Sequence, residues 1–275
     1  MKEPIENRVV VVTGASSGFG RLVSRKCAAL GARVMCADID LARLSETVES
    51  IRAAGGEADH RTADVTLIDD MRSLAAATVE RFGTIDVMVN NAGTMPLAFY
   101  RDHVSAIEAW QRCIDINIKG VMHGIVAVYD QMIAQGHGHV VNLSSIYGNF
   151  PVAGAGVYGA TKAAVNFLSE SLRVESQGRI KVTVVRPTGV PATSLAGGIV
   201  NPEATIGIKG HNAATIDARM EAWLGGQLPA GELDRDDIAY FALDPDSLAD
   251  QIVYAINQPW GVSIAVRASG EGYVL

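Results

Sequence analysis

Tyr158 and Lys162 stand four residues apart in "YGATK", and Ser144 and Ser145 close the run "VVNLSS", with Ser145 thirteen residues ahead of the tyrosine. On a helix, residues four apart project from one face, so phenol and ammonium can meet. A free tyrosine titrates near ~10, too high to serve as a base at neutral pH. An adjacent ammonium favours the phenolate and is expected to lower that value. Such a phenolate can take the proton of an alcohol. The serines end a strand-like apolar run, where a hydroxyl can donate to the same substrate oxygen. A lone Tyr-x-x-x-Lys is usually a surface pair.

A second constellation lies near the N-terminus. "VVVVTGASSGFG" covers Val9–Gly20, four stiff valines that hand over to a turn holding Gly14, Gly18 and Gly20. The turn leaves a strand and opens a helix. That geometry aims backbone N–H groups and the positive helix end at a diphosphate. No lysine follows, which argues against a triphosphatase loop. The alternative is a tight turn that uses glycine for geometry alone. Asp38 ends the next apolar run, about 24 residues after Gly14. There a dinucleotide fold places an acid for the ribose hydroxyls. A carboxylate accepts from a free 2′-hydroxyl and repels a 2′-phosphate, so NAD is expected over NADP. Asp40, before "LARL", is the better helix cap.

The elements that must hold these groups alternate. Strands are expected at Val9–Thr13, Arg33–Ala37, Ala58–Thr62, Ile85–Asn90, His139–Leu143, Lys181–Val185 and Val262–Val266. The first helix shows its period in Phe19, Leu22, Val23, Cys27 and Leu30 and stops at Gly31. Further helices are expected at Leu41–Ala54, Leu67–Arg81, Ser105–Ala134, Val157–Ser176 and Ser247–Asn257. This βαβ alternation predicts an α/β fold, a mostly parallel sheet covered on both faces. One domain is expected over residues 1–275. The Ala- and Gly-rich stretch from Ser194 to Asp237 leaves the sixth strand and reads as a lid over the site, the plainer reading being a surface excursion. It carries Met220, Trp223 and Leu224.

Composition bounds the class. Of 275 residues, 48% are hydrophobic and 19% charged, enough for a large core, and the net charge of −7 argues against nucleic acid or an anionic membrane as partner. Three cysteines without a Cys-x-x-Cys pair fit a reducing compartment, and a cytoplasmic location is expected. "MKEPIENR" does not read as a signal peptide. His137 and His139 have a spacing that could suit a metal, but no carboxylate partner is evident, and no metal is expected.

Together the motifs resemble the short-chain dehydrogenase/reductase family, in its short-subunit, NAD-dependent branch. The resemblance rests on the Thr13–Gly20 turn, "ADV" at Ala63–Val65, "NNAG" at Asn90–Gly93, "VVNLSS" and "YGATK". It is close over Arg8–Pro187 and loose beyond. It implies a Rossmann-type doubly wound sheet of seven strands in the order 3-2-1-4-5-6-7, and NAD on Gly14, Ser16, Ser17, Gly18, Phe19, Gly20 and Asp38. Asp64 and Val65 would hold the adenine, and Asn91, Ala92 and Gly93 would pass beneath the ribose. Ser145, rather than Ser144, would bond the substrate. Lys162 would also bond the nicotinamide ribose. Asn117, in "IDINIKG", would distort its helix and hold a relay water. Pro187, Thr188, Val190 and Thr193 would surround the nicotinamide.

Two departures stand out. Pro187-Thr188-Gly189 replaces the family's Pro-Gly, and Thr193 falls one position late, so the nicotinamide loop is expected to take an altered path. Phe19 replaces a smaller aliphatic residue and crowds the cofactor floor. The expected reaction interconverts a secondary alcohol and a ketone. The alternatives are a non-catalytic NAD-sensing protein, or an epimerase or dehydratase with no net redox change. Tyr147, Phe150, Met220 and Trp223 are candidates for an apolar or aromatic substrate's pocket. The stretch Met95–Tyr100 either lines that pocket or packs on a helix. A homo-oligomer, dimer or tetramer, is expected through the helices at Ser105–Ala134 and Val157–Ser176.

Overall fold

The four valines of β1 (Val9–Thr13) are all buried because they alternate between two cores. Val10 and Val12 face one side of the sheet, Val9 and Val11 the other. A strand covered on both faces needs an unbroken apolar run, and this explains the sequence. In the computed structural model, which describes residues 5–190, 194–210, 213–225 and 244–267, β1 lies in the interior of a parallel sheet, between β2 and β4. Its companions are β2 (Arg33–Asp38), β3 (Glu57–Thr62), β4 (Val87–Asn90), β5 (His139–Leu143), β6 (Lys181–Pro187) and β7 (Ser263–Val266). They lie in the order β3-β2-β1-β4-β5-β6-β7, as the resemblance implies, and every pairing is parallel.

One face carries α1 (Gly18–Ala29), α2 (Leu41–Ala53) and α9 (Pro245–Asn257), whose Cys27, Leu44, Val48 and Ile252 pack on Val10 and Val12. The other carries α3 (Ile68–Phe82), α5 (Gly120–Gln135) and α6 (Gly156–Glu175), through Leu74, Met132 and Leu172. The strand limits differ from the sequence reading by no more than two residues. After β6 the chain runs through short turns into α7 (Ile206–Lys209) and α8 (Ala213–Leu224). Among the described residues, no helix is long and apolar enough to cross a membrane.

The helix expected at Ser105–Ala134 is two helices, α4 (His103–Ile114) and α5, joined by a π-helical turn at Asp115–Lys119. Asn117 is the cause. Its Oδ1 accepts from the Thr94 N–H at 2.9 Å and its Nδ2 donates to the Thr94 carbonyl at 3.0 Å. Reaching that loop takes an extra residue in the turn. The expectation about the histidines is also corrected. His137 Nε2 does have a carboxylate, Asp86, at 2.8 Å, which also pairs with Arg8 at 3.0 Å. His139 Nε2 lies instead 2.8 Å from Thr183 Oγ1.

A buried polar chain crosses the sheet. Asn90 donates to Asn142, and Asn142 to Ser169, each at 2.8 Å. Gly124 of α5 lies against it, where a Cβ would stand 1.9 Å from Asn90 Oδ1. Gly124→Ala should therefore lower stability by about 1–3 kcal/mol through overpacking. Urea unfolding checks this, and wild-type stability would show that the helix simply moves aside.

Candidate active site

β1, β4, β5 and β6 end on one rim of the sheet, around a cleft of about 840 Å³. Strand order reverses between β1 and β4, which is where such sheets open a crevice. The glycine turn forms its floor. Gly14 has φ +69°, and a side chain there would meet Asn91 Nδ2 at 2.8 Å. A Cβ at Gly20 would sit 2.1 Å from the Gly14 carbonyl. Asn91 Nδ2 donates to the Thr13 carbonyl at 2.9 Å, and Thr13 Oγ1 accepts from the N–H groups of Asn91 and Ala92. "NNAG" thus ties the turn to the end of β4.

Ser16, Ser17, Gly18 and Phe19 line the cleft, as do Asp38, Asp64 and Val65 and the run Asn91–Gly93. Asp38 accepts from the Ser16 N–H and the Asp40 N–H, each at 3.1 Å. Asp40 caps α2 through the Arg43 N–H, as its position predicts. Asp64 Oδ1 accepts from the Thr66 backbone at 2.9 Å and from its hydroxyl at 2.7 Å. A glycine turn at a helix start, with a carboxylate hydrogen-bonded beside it in one cleft, fits a dinucleotide diphosphate and ribose.

The chemistry-bearing groups lie on the same wall. Ser145 follows β5; its Oγ donates to the Pro187 carbonyl at 3.4 Å and accepts from the Tyr147 N–H at 3.3 Å. Ser145 also acts on the Tyr158 side chain, in the direction that favours its ionised form. Ser144 Oγ instead donates to the Lys162 carbonyl at 3.0 Å. Lys162 Nζ donates to the Leu143 carbonyl at 2.8 Å and stands 5.7 Å from the centre of the Tyr158 ring.

The electrostatics differ from the expectation that Lys162 depresses the tyrosine. Burial pushes Tyr158 up to about 12, against the opposing hydrogen bond from Ser145. Burial also pushes Lys162 down to about 8. Each group is driven toward its neutral form because neither charge is well solvated there.

Pro187, Thr188 and Val190 border the cleft, and the Thr188 N–H and hydroxyl both reach the Val266 carbonyl. Three candidate residues lie off the wall. Gly20 and Asn117 act behind it, and Phe150 packs edge-to-face on Tyr147 at 6.0 Å. Thr193 lies outside the described residues, as do the side chains of Met220 and Trp223. Tyr147 lines the cleft, joined by Met95, Leu195, Ile199 and Ile208, which the motifs did not single out individually. Met95 opens the stretch flagged as a possible pocket wall, whereas Leu97 and Ala98 are buried in cores. Glu108 and Arg112 of α4 and Asp115 of the π-helical turn also border the cleft. Their spacing reads as a solvated helix face, so no sequence signal marked them.

Comparison with known proteins places these features in a family. Residues 8–203 match the short chain dehydrogenase family. An uncharacterised oxidoreductase of Listeria monocytogenes is 34% identical over 265 residues, which covers 94% of each chain. A short-chain dehydrogenase/reductase from Burkholderia phymatum, solved in complex with NAD, superposes with TM-score 0.74 at 27% identity, over 96% of this chain and 90% of that one. A metagenomic short-chain oxidoreductase in complex with NADP gives TM-score 0.72 at 27% identity, over 96% and 98%. With its parallel sheet, its glycine turn and a match spanning most of its length, the chain belongs to the short-chain dehydrogenase/reductase family of oxidoreductases.

Proposed function

We propose that the chain is an NAD-dependent oxidoreductase that interconverts a secondary alcohol and a ketone, with Tyr158 as general acid and base. The observation that carries the reading is that Ser145, Tyr158 and Lys162 line the same cleft as the glycine turn and Asp38. Bound NAD supplies the hydride acceptor and a positive charge that favours the phenolate. The Ser145 hydroxyl holds the substrate oxygen, and the Tyr158 phenolic oxygen takes the proton of an alcohol or returns it to a ketone oxygen. Lys162 orients the nicotinamide ribose and supports the phenolate when protonated. Asn117, bonded to Thr94 and to Thr161 Oγ1, holds the turn behind them.

NAD is favoured over NADP because the Asp38 carboxylate borders the cleft and would repel a 2′-phosphate. Similar structures hold either cofactor, so the argument rests on Asp38. The substrate side is apolar: Met95, Tyr147, Leu195, Ile199 and Ile208 border it. This supports an uncharged, apolar or aromatic-bearing alcohol, with residues 194–210 as part of its lid; residues 226–237 of the expected lid lie outside the described residues. The intact tyrosine, lysine and serine favour turnover over a sensing role.

Absorbance of NADH, followed with a panel of secondary alcohols, tests the reading. Turnover is expected with NAD and a lower kcat/KM with NADP. Tyr158→Phe should lower kcat by about 10²–10⁴-fold and still bind NADH. Near-normal activity in that variant, or better efficiency with NADP, contradicts the corresponding assignment.

Ile107 and Ile114 on α4, Val126 on α5, and Phe167 and Val174 on α6 are exposed. They support self-association through these helices. Sedimentation equilibrium should show a dimer or tetramer; a monomer at micromolar concentration would end this part of the proposal.

The buried lysine makes a prediction about pH. With its pKa at about 8 when folded, against 10.5 when free, Lys162 loses its proton on folding between those values. Stability linked to it therefore rises as pH goes from 8 to 10.5, where the unfolded chain holds the extra proton. In the protein without added cofactor, wild type should gain about 2 kcal/mol on Lys162→Met between pH 7.5 and 10. A pH-independent difference in denaturation would show that the lysine is not desolvated.

A further inference from the structure

We infer that Tyr147 is a positioning residue that seats the α7 wall of the substrate pocket and so sets which alcohols the site accepts; this rests on the oxidoreductase reading above. The residue touches both parts. Its backbone N–H donates to Ser145 Oγ at 3.3 Å, and its phenolic hydroxyl donates to the Ile208 carbonyl at 3.0 Å. Ile208 borders the cleft and packs on the cluster that contains Tyr147 and Tyr158.

The wall needs such a fastening. α7 is four residues long, too short to hold its own shape. The chain ahead of it is well fixed: the N–H groups of Val200 and Asn201 reach the Leu97 carbonyl, and Asn201 Nδ2 donates to Asp102 at 2.8 Å. At α7 itself, backbone meets backbone. A Cβ on Gly207 would stand 1.8 Å from the Ala153 carbonyl. The Tyr147 phenol adds a directed bond at the next residue. Tyr147 is 7% exposed and Ile208 half-buried, so that bond is partly shielded from water. Holding Ile208 in place presents a hydrocarbon surface beside the reacting carbon, which a bulky apolar flank fills and a compact one leaves untouched.

Tyr147→Phe removes the hydroxyl and keeps the ring. Wild type and variant are compared, each with NAD, on 2-propanol and cyclohexanol, and by amide hydrogen exchange over residues 206–210. KM for cyclohexanol should rise about five-fold, the worth of one partly shielded hydrogen bond. kcat for it should fall less than KM rises, KM for 2-propanol should move by less than about two-fold, and the 206–210 amides should exchange faster. Equal exchange, or an equal ratio of the two KM values in both proteins, overturns the inference. Should wild type oxidise neither these alcohols nor any of the panel, the secondary-alcohol reading fails, while the exchange comparison still decides whether the phenol fastens α7.

Discussion

The site depends on how closely α6 approaches the loop after β5. Two glycines allow it. A Cβ on Gly148 would lie 2.7 Å from the Lys162 carbonyl carbon, and one on Gly159 would lie 2.8 Å from the Tyr147 carbonyl oxygen. Contacts this short exclude any side chain, so loop and helix meet backbone to backbone. Ser144 and Lys162 then lace the two together, the serine through the lysine's carbonyl and the lysine through that of Leu143. The Ser145 hydroxyl is thereby brought to the Tyr158 phenol. Had either glycine been alanine, the helix would stand off and the hydroxyls would part.

That close packing has an electrostatic consequence. It buries the phenol and the ammonium, and burial acts on both in the direction of neutrality. A lysine four residues from a tyrosine on an exposed helix would behave otherwise, since solvent would keep its charge. Here the same pair is shaped chiefly by desolvation, with the Ser145 hydrogen bond as the counterweight. A site of this kind gains from a positive charge arriving with its ligand, because fixed neutral groups respond strongly to a new charge in a poorly solvated cleft.

The wall opposite is assembled differently. Residues 194–210 form only short helical turns, Ser194–Gly198, Pro202–Thr205 and α7, and dock through Leu97, Asp102, Ala153 and Tyr147, residues far apart in the chain. The π turn at Asp115–Lys119 belongs to the same class of feature. Asn117 is drawn to Thr94 and Thr161, and the distortion follows from those tertiary attachments.

By itself the sequence determined the alternation of strands and helices, the parallel sheet, the glycine turn and the Tyr158–Lys162 pair, while the choice of Ser145 over Ser144 came from the family resemblance. These are legible because period, glycine and i,i+4 spacing are local properties of the chain. Val9–Val12 announce a doubly buried strand without reference to anything else. Only the tertiary structure decided that Ser144 faces Lys162 while Ser145 faces the phenol, that His137 meets Asp86, and that Met95, Ile199, Ile208 and the charged stripe of α4 border the cleft. Burial, and the proton affinities that follow from it, depends on what the rest of the chain brings to a residue. No local pattern carries that.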